Sequence, residues 1–158
     1  MGGRRAARTS TAELIAFEVA TRDLVGLALR SVEQLEVTLS QFRLLLVLDE
    51  LGRSSSTRCA QALGVVGSSV TRLADRLHAS GHLVRGADPD NRSIVTLELT
   101  DAGRRVVRQV QDRRRRELRR ALDGLDPAAR AVCTAALEEL HHALSGAESD
   151  EPHHGLPL

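Results

Sequence analysis

The stretch Ser56–Asp75, STRCAQALGVVGSSVTRLAD, reads as two short helices joined by a tight turn. Cys59, Ala60 and Leu63 share one face of the first helix, Gly64 and Val65 form the corner, and Val70, Leu73 and Leu77 repeat at helical spacing on the second. Each position has a physical reason. Ala60 is small where the second helix must cross close by, Gly64 can take the positive φ that ends the first, and Val65 is expected to plug the angle between them. The pattern is that of a helix-turn-helix. A plain helical hairpin would satisfy the same spacing, but the outward face argues for more. With Val70, Leu73 and Leu77 turned inward, Ser68, Ser69, Thr71, Arg72, Asp75 and Arg76 point away. Hydroxyls and open amides at a helix N-terminus suit phosphates, and an arginine fork pairs with guanine O6 and N7 in the major groove. Ser68, Ser69, Thr71, Arg72 and Arg76 are therefore candidate DNA contacts.

At 158 residues the chain suits one domain. A net charge of +1 does not mark a nucleic-acid binder, but the charge is unevenly spread. Arg53–Arg105 carries 8 arginines against 5 acids, Val106–Arg120 carries 7 against 2, and the chain after Arg120 carries 1 against 7. Every basic residue other than histidine is Arg, which a GC-rich coding bias explains without function. Cys59 and Cys133, 74 positions apart, make neither a disulfide framework nor a zinc pattern, and both read as small buried hydrophobes. The basic start MGGRRAARTS leads into an amphipathic segment rather than a signal peptide, and no apolar run approaches a membrane span. These features fit a cytoplasmic protein.

Around the central motif the chain reads in order. Residues 1–10 are expected to be loose, and Leu14, Phe17, Leu24, Ala28, Val32 and Leu35 predict one long amphipathic helix from Thr11 to about Leu35. A helix of that length on so small a domain suggests a partner chain. The next helix, about Ser40–Leu51, holds the apolar run Leu44–Leu48 and stops at Gly52. Ser54, Ser55 and Ser56 offer a cap for the helix-turn-helix, and Ser56 with Arg58 are candidate phosphate contacts. After Gly81 the period changes to two: His82–Gly86 and Ile94–Leu99 predict a hairpin, a wing whose tip bears Arg92, placed to reach the DNA backbone or minor groove. Thr100 and Asp101 begin a helix to about Leu122 with its seam on Val107, Val110, Arg114, Leu118, Ala121 and Leu125. Arg114 on that seam either snorkels or pairs with an acid such as Glu18 or Asp23, or lines a pocket, with Phe17 and Phe42, for an anionic ligand. Asp126 and Pro127 open a last helix with an apolar stripe from Ala129 to Leu144, and residues 146–158 read as a disordered tail. The pairs His141–His142 and His153–His154 do not make a metal site by spacing, and no cofactor is expected.

SQFRLL at Ser40–Leu45, SVTRLADRL at Ser69–Leu77, Arg85, Asp88–Pro89 and LTDAG at Leu99–Gly103, in this order of elements, resemble the multiple-antibiotic-resistance regulator (MarR) family of winged-helix transcription factors. The resemblance covers about Leu14–Leu144. It implies a mainly α fold with a small two-stranded β wing: a single domain over 11–145, with a winged helix-turn-helix over 36–100 flanked by dimerisation helices over 11–35 and 101–145. It also implies a homodimer on double-stranded DNA carrying a pseudopalindromic operator, acting as a repressor released by a small anionic or phenolic ligand, with Arg85 among the DNA contacts. Members usually carry Asp-x-Arg in the wing; here Asn91 and Ser93 fall at those places, and Asp90 and Arg92 supply the chemistry one residue earlier. An irregular wing leaves open an alternative, a winged-helix dimer serving as a protein-interaction scaffold. Nothing in the sequence provides a nucleophile with its base, a carboxylate pair or a phosphate-cradling loop, so an enzyme is not expected.

Overall fold

The computed structural model describes residues 8–33 and 35–148. Residues 1–7 and 149–158, which hold most of the expected loose start and tail and the pair His153–His154, lie outside the described residues.

Helix α1 (Thr11–Arg30) starts at a reciprocal cap: Glu13 N–H donates to Ser10 Oγ at 3.3 Å and Ser10 N–H donates to Glu13 Oε2 at 2.7 Å. These hydrogen bonds hold the Glu13 carboxyl below its usual range. The helix ends five residues before the expected Leu35, and the reason is local. Ser31 Oγ donates to Ala28 O at 2.6 Å, which closes the last turn, while Val32, Leu35 and Val37 continue the apolar stripe as an irregular segment packed on the core. Periodicity outlived the helix because that segment buries the same residues.

Helix α2 (Leu39–Leu51), capped by Thr38 and Gln41, is the central strut, with Phe42, Leu44, Leu45 and Leu48 all at 2% exposure or less. Gly52, at φ 68°, turns the chain into a strand the sequence did not reveal. Ser54–Ser55 (β1) pairs antiparallel with Val95–Leu99 (β3), which pairs in turn with Leu83–Ala87 (β2), so the wing hairpin is part of a three-stranded sheet ordered β1-β3-β2. The expected two-stranded wing gains an edge because two residues show no periodicity to read. Of the three serines offered as a cap, Ser55 caps α3 (Ser56–Leu63) by accepting from Arg58 N–H at 3.2 Å. Helix α4 (Gly67–Ala79) follows, then the hairpin, then α5 (Asp101–Asp123) and α6 (Pro127–Glu148). Asp126 Oδ1 accepts from Ala128 N–H at 2.8 Å to cap α6, which runs through 146–148 where a tail was expected.

Helices α2, α3 and α4, the sheet and the first half of α5 enclose one core through Cys59, Leu63, Val70, Ala74, Leu77, Leu83, Leu97, Val107 and Val110. The ends of the chain stand outside it. No residue of α1 is buried, nor any described side chain of α6.

Candidate nucleic-acid interface

Gly64 takes φ 65° as the left-handed cap of α3, and Val65 N–H reaches back to Ala60 O at 3.1 Å, so the turn closes as its spacing requires. Val65 itself does not plug the angle. It is 38% exposed on the rim, and the inward face of α4 is Val70, Ala74 and Leu77, with Leu73 only partly buried at its edge. Ala74 is the missed core residue: its Cβ is small enough for the helix to press close to its neighbours. Val66 precedes α4 without a side-chain cap, which leaves first-turn amides open to an anion.

The outward face is largely as read. Ser68, Thr71, Arg72 and Arg76 are exposed and Ser69 is half-buried. Thr71 Oγ donates to Gly67 O at 3.1 Å, so its proton is engaged within the helix while its lone pairs face out. Arg72 and Arg76 have no hydrogen-bond or ion-pair partner among the described residues. Both guanidiniums stand in solvent on a helix whose first turn has no side-chain cap. In the first turn of α3, Arg58 is exposed and Ser56 half-buried.

Arg85 sits differently. Its guanidinium bonds Asp75 Oδ1 at 2.7 Å and donates to Thr71 O at 3.2 Å, tying β2 to α4. Arg53, which the sequence did not single out, braces the other side of the wing by donating to Thr96 Oγ at 3.2 Å and Ala87 O at 2.7 Å. At the wing tip Asn91 and Ser93 are joined by a hydrogen bond, and Asp88 holds the rest of the turn. Asp88 Oδ1 accepts from Asp90 N–H and Asn91 N–H, Asn91 Oδ1 accepts from Ser93 N–H, and Asp88 N–H donates to Ile94 O. Asp88 and Asn91 brace the turn as side-chain acceptors for its backbone, which leaves Arg92 exposed at the tip.

The expected ligand residues come together only in part. Arg114 Nε donates to Ser31 Oγ at 2.8 Å and its terminal nitrogen reaches Ala28 O at 3.4 Å, with the guanidinium 5.1 Å above the buried Phe42 ring. Neither Glu18 nor Asp23 is its partner; a hydroxyl, a carbonyl and a ring face serve instead. Burial pushes the Arg114 pKa down. Phe17 is not part of this cluster: it is 51% exposed and sits about 16 Å along α1 from Ala28, at 1.5 Å rise per residue. Cys59 is buried in the core and Cys133 half-exposed on α6. Among the described residues no group of three or more His, Cys, Asp or Glu could hold a metal ion, and no helix is long and apolar enough to cross a membrane.

A basic helix presented beside a braced wing defines a winged helix-turn-helix. Residues 35–92 match the MarR family. The chain is 26% identical over 117 residues to the uncharacterized HTH-type transcriptional regulator YfiV of Bacillus subtilis, covering 74% of this chain and 73% of that one. Its fold superposes on the crystal structure of RV1404 from Mycobacterium tuberculosis with a TM-score of 0.80 at 33% identity, covering 87% of this chain and 97% of that one. It also superposes on Bordetella bronchiseptica BpsR, whose DNA binding is regulated by 6-hydroxynicotinic acid, with a TM-score of 0.61 at 22% identity over 92% of this chain and 100% of that one. The chain belongs to the MarR family of winged helix-turn-helix transcriptional regulators, which bind DNA and are not enzymes.

Proposed function

We propose that this regulator is a cytoplasmic homodimer that reads a pseudopalindromic operator as a repressor and is released by a small anionic or phenolic ligand. The observation that carries the DNA reading is the unpartnered pair Arg72 and Arg76 on the exposed face of α4. In this reading α4 enters the major groove with Ser68, Ser69 and Thr71 toward phosphates and Arg72 toward a base edge, Ser56 and Arg58 meet the flanking backbone, and Arg92 reaches out from the wing. Arg76 adds a second fork on the same face. Arg85 contributes by holding the wing on α4. For the ligand, Arg114 above Phe42 sets a cation and an aromatic ring at the junction of α1, α2 and α5, and regulation of BpsR by an aromatic acid supports the ligand class.

Fragments selected from the source genome by the full chain identify the operator, and fluorescence anisotropy on that fragment tests the assignment. Arg72→Ala is expected to lose about 1–3 kcal/mol of operator affinity and to relax base preference at one position in each half-site. Binding as tight as the parent's would mean that α4 is not the reading helix. Phenols and aromatic carboxylates that lower the anisotropy of the parent complex are expected to fail on Arg114→Gln.

A further inference from the structure

We propose that the groove between the first turns of α2 and the recognition helix is a backbone-phosphate site, in which Arg43 and Ser40 grip the DNA strand that runs beside α4. The proposal rests on the DNA reading above and adds a contact to it. The groove has a volume of about 350 Å³ and brings together Ser40 and Arg43 of α2 with Ser69, Arg72 and Arg76 of α4 over a floor that includes Leu63. Three guanidiniums and two hydroxyls from two helices line it, and no carboxylate does. Arg43 is held in place: its terminal nitrogen donates to Leu63 O at 3.3 Å, the last carbonyl of α3, which leaves its other N–H groups for an outside acceptor. Like charges gathered along one groove repel each other, and an oxyanion lying among them relieves that repulsion.

The identity of that oxyanion follows from dimensions. A helix with its side chains is about 10–12 Å across and the major groove about 12 Å wide, so a helix that enters it fills it from wall to wall. A basic group packed immediately beside such a helix therefore meets the phosphates of the wall, not base edges. Arg43 and Ser40 stand in that position, because α2 packs along α4 and the groove they share opens at Arg72 and Arg76. Contact there is sequence-independent and sets register. Arg43 escapes a reading of the sequence because it sits within SQFRLL, on a helix whose apolar run marks it as core.

The test uses the full chain, the selected operator and a scrambled duplex of the same length, titrated by anisotropy over a range of salt concentrations. Arg43→Gln is expected to flatten the slope of log K against log salt by about one unit and to weaken both duplexes by a similar factor, about tenfold. Arg43→Lys is expected to keep the slope. Because Arg43 also supports the turn, Ser40→Asp serves as the second variant. An acid in the first turn of α2 suits the helix dipole, so its thermal midpoint is expected to hold while its affinity for both duplexes falls at least about tenfold. An unchanged slope for Arg43→Gln, unchanged binding by Ser40→Asp, or a loss confined to the operator would overturn the phosphate site. So would stabilisation of the DNA-free chain by inorganic phosphate that Ser40→Asp abolishes while the salt slope of Arg43→Gln stays as the parent's, since the groove would then serve a free anion. A parent chain that selects no fragment overturns this proposal and the DNA reading together; a parent that binds and depends on Arg72 but not on Arg43 or Ser40 overturns this one alone.

Discussion

A Cβ built at Gly103 would run into the His82 carbonyl oxygen, because two hydrogen bonds draw the first turn of α5 onto the entry to β2. Thr100 Oγ donates to Gly81 O at 2.7 Å and Thr100 N–H to His82 O at 3.1 Å, while the same hydroxyl accepts from Gly103 N–H. Glycine is thus required for close approach, not for its dihedral freedom. Gly103→Ala is expected to cost about 1–3 kcal/mol, read from the urea midpoint, as overpacking against immobile backbone does; an unchanged midpoint would show that α5 can slide. Cys59 makes a different prediction. Burial pushes its thiol pKa up, so the folded chain holds that proton more tightly than the unfolded chain does. Stability from this source is complete below the unfolded thiol value of about 8.5 and is lost as pH rises through the folded value. In a Cys133→Ser background, Cys59 should therefore resist a thiol reagent at pH 8 until the chain unfolds. Rapid labelling of the folded protein would contradict its burial.

The wing and α4 move as one element if the Arg85–Asp75 pair holds, and the sign of one substitution decides it. Asp75 is a negative charge on the exposed face of α4, the face that the proposed reading turns toward DNA, so on charge alone Asp75→Asn should tighten binding. If Asp75 instead anchors Arg85, and through it β2, the same change should weaken operator binding several-fold and spare the weaker binding to a scrambled duplex. Anisotropy on the two duplexes separates these outcomes. This latch also marks where the sequence stopped being legible. Helix α4, its turn and the hairpin were readable because Gly64, the 3.6-residue spacing around Val70 and Leu77 and the switch to alternation after Gly81 are local signals. The partner of Arg85 lies across the fold, on another element, and no spacing announces it. Strand β1 is too short for a period, and α1 was overextended because Val32 and Leu35 bury themselves equally well outside a helix. Arg114 lies on the apolar seam that the spacing marks, but a seryl hydroxyl and a helix-end carbonyl hold it rather than an acid, and no spacing announces either partner.

At the scale of the whole molecule, the apolar stripes of α1 and α6 are left without partners in a single chain. Val132 is 70% exposed, Leu144 62% and Leu137 49%, and on α1 Leu14 and Ile15 are each 53% exposed. Monomeric proteins seldom present apolar patches of such extent, and two whole helices outside the core would gain little by forming alone in water. The homodimer proposed above would cover both stripes by packing α1 and α6 against their equivalents, and would present two α4 helices to the two halves of one operator. Since no described side chain of α6 belongs to the core of its own chain, an acid placed on its stripe should leave the winged-helix body folded. Leu137→Glu is therefore expected to keep the helical circular dichroism of the core, to sediment as a monomer, and to bind operator about 10²–10⁴-fold more weakly, because the second half-site no longer profits from the effective concentration that the dimer provides. Sedimentation velocity and anisotropy on the same sample test the two consequences together. A variant that remains dimeric with its operator affinity intact would assign those stripes to some other partner.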